Sequence, residues 1–238
     1  MPATAPITYR RAGVVIPAHN ERSELPACLS SALTAALCAP LPVTLVVVLD
    51  ASDDGSADLA GRFGSDVQFI SVDERNVGAA RAAGFRYLRT LRECDTECWY
   101  ATTDADTRVD PDWLVRQLAR PADMVLGVVR VDNWRHHGQD VVDRYLRAYN
   151  ARGGGHHDHV HGANMGFSAS AYWSVGGFRA LATGEDVDLV RRFEAAGCQV
   201  RRDGALSVTT SARRRSRAPR GFSHYLRQLT RSGRGDCA

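Results

Sequence analysis

The chain has 238 residues, of which 44% are hydrophobic and 24% are charged, as is typical of one globular domain with or without a short appendage. No apolar run approaches the roughly 20 residues that a membrane-spanning helix needs, and the first residues lack the basic and then apolar layout of a secretory signal. The composition therefore predicts a cytoplasmic protein without a transmembrane segment. Its six cysteines include no CxxC pair, which argues against a zinc knuckle and against a disulfide framework.

The positive charge is concentrated near the C-terminus. The net charge is +3, and every basic residue is an arginine. Residues 201–234 contain ten arginines and one carboxylate, Asp203. This distribution predicts a globular domain over residues 1–212 and a basic tail with a short helix over residues 213–238. Such a tail suits the phosphates of a small ligand, an anionic membrane surface or nucleic acid.

The first half alternates between strands and helices. The predicted strands are "AGVVIPAHNE", which breaks at Pro17, "VTLVVVLD", "VQFISVD", "CWYATTDAD" and "ADMVLGVVRV". The predicted helices are "SELPACLSSALTAAL", "ASDDGSADLAGRFG", "NVGAARAAGFRYLRTL" and "DPDWLVRQLA". Ser23 is expected to cap the first helix, whose apolar stripe runs from Leu25 to Leu37, and Asp110 is expected to cap the last.

Four successive strand-then-helix units predict an α/β fold, with a single Rossmann-like domain and a mostly parallel central sheet flanked by helices. Ligands on such sheets bind beyond the carboxyl ends of the strands. The stretches "PAHNE", "LDASDDGS", "ERNVGAAR" and "TDAD" all fall at such an end. The second half is less regular, with a helix "GEDVDLVRRFEAAG", a strand near "GALSVTT" and no independent second domain.

Three carboxylates, Asp104, Asp106 and Asp110, follow the fourth strand within seven residues. Like charges so close repel one another, and a solvated turn is one way to accommodate them. Alternatively, two carboxylates spaced i, i+2 share a hard divalent cation, which removes the repulsion and leaves open positions for phosphate oxygens. A GxGxxG motif after the first strand and a P-loop lysine motif are both absent, which argues against dinucleotide oxidoreductases and P-loop ATPases.

Six stretches, in this order, resemble the glycosyltransferase family 2 pattern on the GT-A fold. They are "VVIPAHNE", "VVVLDASDDGSAD", "RNVGAARAAG", "TTDAD", "GANMGFSASAYWSVGGF" and "GEDVDLVRRFEAAG", and the resemblance extends from Val14 to Thr210. It implies a nucleotide-sugar donor, a Mg2+ or Mn2+ ion, and inversion at the anomeric carbon.

The resemblance implies that the donor binds at the strand ends of the first half. Asp106 would ligate the metal directly, and Asp104 would reach the ribose, or the metal through water. The loop that contains Pro17, His19 and Glu21 is implied to lie against the nucleobase and the ribose.

Two further positions of the first half match donor contacts in the family. Asp50 matches an acidic residue that hydrogen-bonds the base, and Asp53 or Asp54 can share this role. The alternative for this acidic turn is helix capping by Ser52 or Asp53. Arg81 matches a basic position near the base and the diphosphate, and its alternative is an ordinary solvated helix charge.

The second half is implied to supply the catalytic base and the acceptor pocket. Asp186 in "GED" matches the general base, with Glu185 helping to orient the acceptor. Stabilisation of the helix dipole is the alternative for both acids. Asn164 matches a position that lines the sugar or acceptor pocket. The histidines of residues 156–161 are expected to form an acceptor-side loop, with His161 in the pocket, in preference to a zinc site.

One position departs from the family pattern. Many relatives carry a histidine, often a metal ligand, where this chain reads "SVTTSARRR". Water or a folded-back His224 can complete the coordination, or Arg213, Arg214 and Arg215 can bind the diphosphate. We favour the arginines over water and His224, because a guanidinium fork matches phosphate oxygens, and a solvated basic tail stays an open alternative.

The predicted function is a hexosyltransferase-class enzyme that moves a sugar from a nucleotide-sugar donor to an acceptor hydroxyl by metal-assisted, inverting displacement. The acceptor is expected to be a small molecule, or a lipid met at a membrane surface through the basic tail. The alternatives are a nucleotidyltransferase acting on a sugar phosphate and a non-catalytic module that binds a nucleotide or nucleic acid. Nucleic acid is disfavoured, because the tail has few aromatic residues on which bases can stack.

Overall fold

The computed structural model describes residues 9–91, 97–131, 134, 139–140, 142–144 and 157–211. The predicted basic tail, with Arg213, Arg214, Arg215 and His224, lies outside the described residues, and so does His156. The division into a domain over residues 1–212 and a tail over residues 213–238 therefore stays a prediction.

The described strands form one sheet with helices on both faces. The strands are β1 (Arg11–Ala18), β2 (Val43–Asp50), β3 (Val67–Val72), β4 (Cys98–Thr102), β5 (Thr107–Arg108), β6 (Met124–Val131), β7 (Met165–Ser168) and β8 (Val200–Thr210). Their order across the sheet is β3-β2-β1-β4-β7-β6-β8-β5. Four of the pairings between these described strands are parallel and three are antiparallel, which agrees with the predicted α/β fold and mostly parallel sheet.

Helices cover this sheet on both faces, and the bounds of five of them are described in full. They are α1 (Leu25–Cys38), α2 (Val77–Thr90), α3 (Trp113–Leu118), α4 (Ala169–Ser174) and α5 (Glu185–Ala195). None of the helices in this part of the chain combines the length and the apolarity that crossing a bilayer requires.

The hydrophobic core lies on both faces of the sheet, as β1 illustrates. Val14 and Ile16 join one buried cluster together with residues of α1, whereas Val15 joins a second cluster together with residues of α2. Successive side chains of a strand point to opposite faces, so a strand covered on both sides needs apolar residues at every position. Complete burial of each such side chain contributes about 1.5–3 kcal/mol to stability.

Strand β7 lies in the middle of the sheet and is not evident from the sequence. It runs antiparallel to both β4 and β6, with Met165 opposite Thr102 at the end of β4. Because β7 begins at the edge where β4 ends, the preceding residues 157–164 reach the same edge as Asp104. The antiparallel strand thereby brings a segment of the second half to the strand ends of the first half.

The helix predicted over "ASDDGSADLAGRFG" is wrong. The chain forms only a single 3-10 turn there, Ser56–Leu59. Gly55, Gly61 and Gly64 have φ values of 79°, 78° and 81°, which a right-handed helix excludes. These glycines therefore interrupt the helix that the composition of the stretch predicts.

The predicted helix caps are also wrong. The residue before α1 is Glu24 and not Ser23, and the residue before α3 is Asp112 and not Asp110. Neither helix has a side-chain cap, because backbone carbonyls close both turns: that of Asp110 accepts from the N–H of Trp113 at 3.0 Å. The apolar stripe of α1 is shorter than predicted, because Leu37 is 87% exposed.

Candidate active site

Asp104 and Asp106 lie in a tight turn between β4 and β5. The N–H of Thr107 donates to the Asp104 carbonyl at 3.0 Å, and the Cys28 thiol donates to the same carbonyl at 3.4 Å. The Asp104 side chain is 39% exposed and is therefore accessible to a ligand. The Thr210 hydroxyl lies 3.5 Å from Asp106 Oδ1, so the end of β8 reaches this acidic turn.

Cys28 lies buried beneath the acidic turn. Burial, followed by the charges of Asp106, Asp104 and Glu21, raises the pKa of its thiol above the usual range. A thiol that experiences all three carboxylates indicates that the loop after β1 and the turn after β4 bring their acidic side chains together. The sequence offers no signal for this role, because one cysteine in an apolar helix looks like any core residue.

Arg81 pairs with carboxylates from both halves of the chain. Its Nη2 donates to Asp104 Oδ1 at 2.7 Å, and its Nη1 donates to Glu185 Oε1. The side chain is only 3% exposed, so the alternative of a solvated helix charge is wrong. Burial lowers the pKa of Arg81, but the carboxylates of Asp104, Glu185 and Asp186 raise it by more. The guanidinium therefore stays charged in the interior.

Asp186 lies in the first turn of α5. Its Oδ2 accepts from the N–H of Gly162 at 2.9 Å, and its Oδ1 accepts from the N–H of Val187 at 2.8 Å. Burial and the charge of Glu185 raise the pKa of Asp186, while Arg81 and the two backbone donors lower it, and the net pKa is raised. A carboxylate with a raised pKa in such a position is suited to accepting a proton.

Two glycines allow α2, α5 and the segment before β7 to approach one another closely. A Cβ on Gly162 would lie 2.5 Å from Arg81 Nη2, and a Cβ on Gly78 would lie 2.2 Å from the Arg179 carbonyl oxygen. Both distances are too short for a real Cβ atom, so a side chain at either position displaces its neighbour. Both glycines occur inside the sequence motifs, but only the tertiary contacts identify what each of them approaches.

Asp50 orders the loop between β3 and α2. Its carboxylate accepts from the backbone N–H groups of Glu74, Arg75 and Asn76, each at 2.8 Å. His19 Nδ1 donates to the Asp50 carbonyl at 2.7 Å. A carboxylate offers about four lone-pair positions, so three backbone bonds leave little capacity for a base. The geometry thus gives Asp50 a loop-ordering role beside the base contact that the resemblance implies.

Residues 52–54, which follow β2, bind the loop after β1. Asn20 Nδ2 donates to Asp53 Oδ1 at 2.8 Å, and the N–H of Asp53 donates back to Asn20 Oδ1 at 2.9 Å. The Ser52 hydroxyl donates to the Ala18 carbonyl at 3.2 Å. Helix capping by Ser52 or Asp53 is therefore wrong, because both side chains are used to join the two loops.

Asp54, which precedes the N-cap residue Gly55, bonds to the start of the 3-10 turn instead. Its Oδ1 accepts from the N–H of Ser56 at 3.0 Å, at the start of the 3-10 turn. Its Oδ2 accepts from the N–H of Arg22 at 2.8 Å, which adds a further link to the loop after β1. Burial raises the pKa of Asp54, but the hydrogen bonds from Ser56 and Arg22 lower it by more, so this residue stays an anion.

Left-handed backbone follows each of the first three strands. Asn20, Ala51 and Arg75 have φ values of 55°, 48° and 50°. For residues other than glycine this conformation costs about 1–2 kcal/mol, and it persists where surrounding contacts enforce it. The three strand ends are therefore held in a defined shape by the hydrogen bonds between their loops.

Asn164 lies in the core and not on the surface of a pocket. The residue is fully buried, and its Nδ2 donates to the carbonyls of Val128 and Leu206 at 2.9 and 3.0 Å. Its Oδ1 accepts from Trp113 Nε1 at 2.9 Å. Because these bonds use its polar atoms, Asn164 joins β6, β8 and α3 instead of presenting its amide to a sugar.

Three histidines stack in a row before β7. The ring centroids of His157 and His159 are 5.9 Å apart, and those of His159 and His161 are 5.8 Å apart. Burial and the two neighbouring histidines lower the pKa of His161 to about 4, so its ring is neutral near pH 7. Within the described residues, no group of three or more His, Cys, Asp or Glu side chains is arranged to hold a metal, and this holds for the histidines and for the turn of Asp104 and Asp106 alike.

Known structures share this fold. Mannosyltransferase PcManGT from Pyrobaculum calidifontis, solved with GDP-Man and Mn2+, has a TM-score of 0.64 at 22% identity, and the match covers 99% of this chain and 68% of that chain. TarS 1-349 from S. aureus, solved with UDP-GlcNAc, has a TM-score of 0.61 at 12% identity, and the match covers 92% of this chain and 65% of that chain. At these identities the likeness supports the GT-A fold, and this chain spans about two thirds of each of the two neighbours.

The family assignment comes from the sequence match. A search of curated proteins returned no match. The family described as "Glycosyl transferase family 2" matches residues 13–176, which is more than half of the chain and includes the strand ends and the acidic turn. This protein therefore belongs to glycosyltransferase family 2.

Proposed function

We propose that this protein transfers a hexosyl group from a nucleotide-sugar donor to an acceptor hydroxyl, with inversion and with the assistance of Mg2+ or Mn2+. The observation that carries the proposal is the bridge of Arg81 between Asp104 and Glu185, which neighbours Asp186. The bridge joins Asp104, which is suited to binding the donor, to Glu185 and Asp186, which are suited to the acceptor. A displacement reaction needs donor and acceptor groups held next to each other in this way. Family membership supports this function over nucleotidyl transfer and over nucleic-acid binding.

The charges around Arg81 support a divalent cation. The carboxylates of Asp104, Glu185 and Asp186 face this single guanidinium, which leaves a surplus of negative charge. A nucleoside diphosphate is itself an anion, so a divalent cation is expected to accompany it into this site. Asp106 and Asp104 would hold that ion together with diphosphate oxygens, because Mg2+ and Mn2+ prefer oxygen ligands. When bound, the ion stabilises the negative charge of the departing diphosphate.

The nucleotide is proposed to bind at the loops after β1, β2 and β3. Pro17, His19 and Glu21 belong to the first of these, and the hydrogen bonds of Asp50 support a preorganised surface at the third. Preorganisation favours binding because little conformational entropy is lost when the ligand arrives. A diphosphate contact from Arg213, Arg214 and Arg215 stays a prediction about the tail.

Asp186 is proposed as the general base. Glu185 is neutralised by its ion pair with Arg81, whereas Asp186 is held by two backbone N–H groups and has a raised pKa. It would take the proton of the acceptor hydroxyl as that oxygen attacks the anomeric carbon from the face opposite the leaving group. The new glycosidic bond then forms as the bond to the diphosphate breaks.

The acceptor is proposed to meet the segment 157–162, because the Gly162 N–H contacts Asp186 directly. The neutral ring of His161 is suited to an uncharged hydroxyl compound, and a small molecule or a lipid headgroup would satisfy this chemistry. The hexosyl class is suggested by the donors bound to the neighbours, GDP-Man and UDP-GlcNAc.

Thermal unfolding with a panel of nucleoside diphosphates tests the proposal. At least one of UDP and GDP is expected to raise Tm in the presence of Mn2+ and much less in its absence, because a ligand that binds only the folded state stabilises it. Release of that nucleoside diphosphate from its nucleotide sugar then measures turnover. Equal stabilisation by nucleoside triphosphates, with pyrophosphate release, would instead indicate nucleotidyl transfer.

A further inference from the structure

Arg81 lies where the donor side and the acceptor side of the site meet. It belongs to α2, and its two terminal nitrogens donate to Asp104, which follows β4, and to Glu185, which opens α5. Asp104 belongs to the first half of the sequence and Glu185 to the second half, so the two carboxylates are far apart along the chain. One guanidinium thus connects the two halves of the site directly.

Protein groups enclose this guanidinium on its remaining sides. The backbone of Gly162 lies so close that a Cβ there would be 2.5–2.8 Å from the guanidinium atoms. The Phe178 ring lies on another side, with its centroid 5.5 Å from Arg81 Cζ. With the side chain 3% exposed, a phosphate reaches Arg81 only if Gly162 moves or an ion pair breaks.

The planar guanidinium is suited to this bridging position. It presents donors in a rigid fork, so its two ion pairs set the separation of the two carboxylates as well as neutralising them. Lysine keeps the charge but lacks the fork. The close packing of Gly78 against the Arg179 carbonyl, one turn earlier on α2, holds the helix against the chain that leads into α5.

On the basis of the proposed function, we infer that Arg81 is a positioning residue that fixes Asp104 relative to Glu185 and does not bind the donor diphosphate. This role differs from the nucleotide contact implied by the sequence resemblance. Since Asp186 follows Glu185 in the first turn of α5, Arg81 also sets the position of the base relative to the donor. Misplacement of a reacting group by about 1 Å lowers the rate of a reaction by about 100-fold.

The first test needs no nucleotide. The free energy of unfolding is measured for R81Q, E185Q and R81Q/E185Q, with R192Q as a control that loses the partly buried ion pair between Arg192 and Asp188 of α5. R81Q leaves the buried Glu185 carboxylate without this ion pair, and E185Q removes one of the two ion pairs of the buried guanidinium, so both are expected to destabilise strongly. The double variant is expected to be no less stable than either single variant. Additive losses would overturn the inference that the two residues act as a pair.

The second test separates positioning from phosphate binding. Affinities for UDP and GDP are compared with those for uridine and guanosine, in Mn2+, for the parent, R81K and R81Q/E185Q. If Arg81 is a positioning residue, the ratio of diphosphate affinity to nucleoside affinity in R81Q/E185Q should stay within about threefold of the parent. Turnover of this variant should nevertheless fall by about 100-fold. A phosphate ligand predicts that this ratio falls tenfold or more in R81Q/E185Q, which would overturn the inference. R81K is expected to keep the ratio and part of the turnover.

The third test uses the pH profile of turnover, which a purely structural residue would not move. Arg81 lowers the pKa of Asp186 and Glu185 raises it. The acidic limb of the profile should therefore move to higher pH in R81Q, to lower pH in E185Q, and back towards the parent in R81Q/E185Q. Parallel profiles in all variants would overturn the inference. If the parent turns over no nucleotide sugar, the proposed function fails, and the unfolding cycle still decides whether Arg81 and Glu185 form a pair.

Discussion

The donor side and the acceptor side of this site are held together by different interactions. On the donor side, the loops after β1, β2 and β3 are joined by hydrogen bonds between side chains and backbone, such as the three that Asp50 accepts. On the acceptor side, Arg81, Glu185 and Asp186 form a partly buried charge cluster against Gly162. The hydrogen bonds of the donor side define the shape of its loops, whereas the charges of the acceptor side set the pKa values of the neighbouring carboxylates. Substitutions on the two sides should therefore affect different measurements.

The largest effect is expected for D106N, which keeps the shape of the donor side but removes charge from the proposed metal site. Turnover should fall by about 1,000-fold, and Mn2+-dependent binding of the nucleoside diphosphate should be lost with it. Exhaustive chelation of the parent should have the same result, reversed by added Mg2+ or Mn2+. Isothermal titration and product release measure the two effects.

Asp110 provides the matched control for this substitution, because it is an exposed aspartate just after the acidic turn. D110N should retain binding and turnover. Full activity of the parent after chelation, or equal losses in D106N and D110N, would contradict the proposed metal site.

The acceptor side should show the opposite separation of binding from rate. D186N is expected to bind nucleoside diphosphate and Mn2+ about as well as the parent, while turnover falls by about 100-fold, because a general base has been removed. D188N is the control on the same helix, since Asp188 pairs with Arg192 and lies outside the proposed site. Loss of nucleotide affinity in parallel with rate in D186N would assign Asp186 to the donor side.

The effect of D186N on stability should vary in size with pH. The pKa of Asp186 is raised in the folded protein, so its stabilising contribution is fully present below the ordinary pKa of 3.8 and is lost as pH rises through the folded-state pKa. Asn cannot ionise, so D186N should have a higher Tm than the parent at pH 7, and the difference should shrink towards pH 4. A difference in Tm that is independent of pH would show that the charge of Asp186 does not destabilise the fold.

The smallest effect tests the shape of the donor side. Ala51 has a φ of 48°, which glycine adopts without a steric penalty. A51G should therefore raise the free energy of unfolding by about 0.5–1 kcal/mol, since the relieved strain exceeds the added entropy of the unfolded chain. A60G is the control, because Ala60 has an ordinary φ of −57° and the same substitution should destabilise there. Equal losses in urea unfolding of the two variants would show that the loop stores no strain.

The sequence by itself determined the parallel strands of the first half, the family and the positions of the acidic motifs. The run "VTLVVVLD" is apolar from Leu45 to Leu49 because side chains on both of its faces are buried, and such a run can be recognised without a structure. The acidic motifs that contain Asp104 and Asp186 can also be recognised from the sequence, because their spacing and order along the chain are local properties. Local patterns failed where glycine conformation decided the outcome, as in the predicted helix that became the turn Ser56–Leu59.

Only the tertiary structure decided which of these residues touch. No local pattern predicts that Arg81 is buried or that Gly162 covers it. Nor does any local pattern predict that the Asn164 amide hydrogen-bonds two strands and a tryptophan. Each of these facts depends on β7, whose antiparallel insertion carries residues 157–164 back to the end of β4. Partners so far apart in sequence meet through the pairing of strands and the packing of helices, and the free energy of those contacts belongs to the whole fold and not to any one segment.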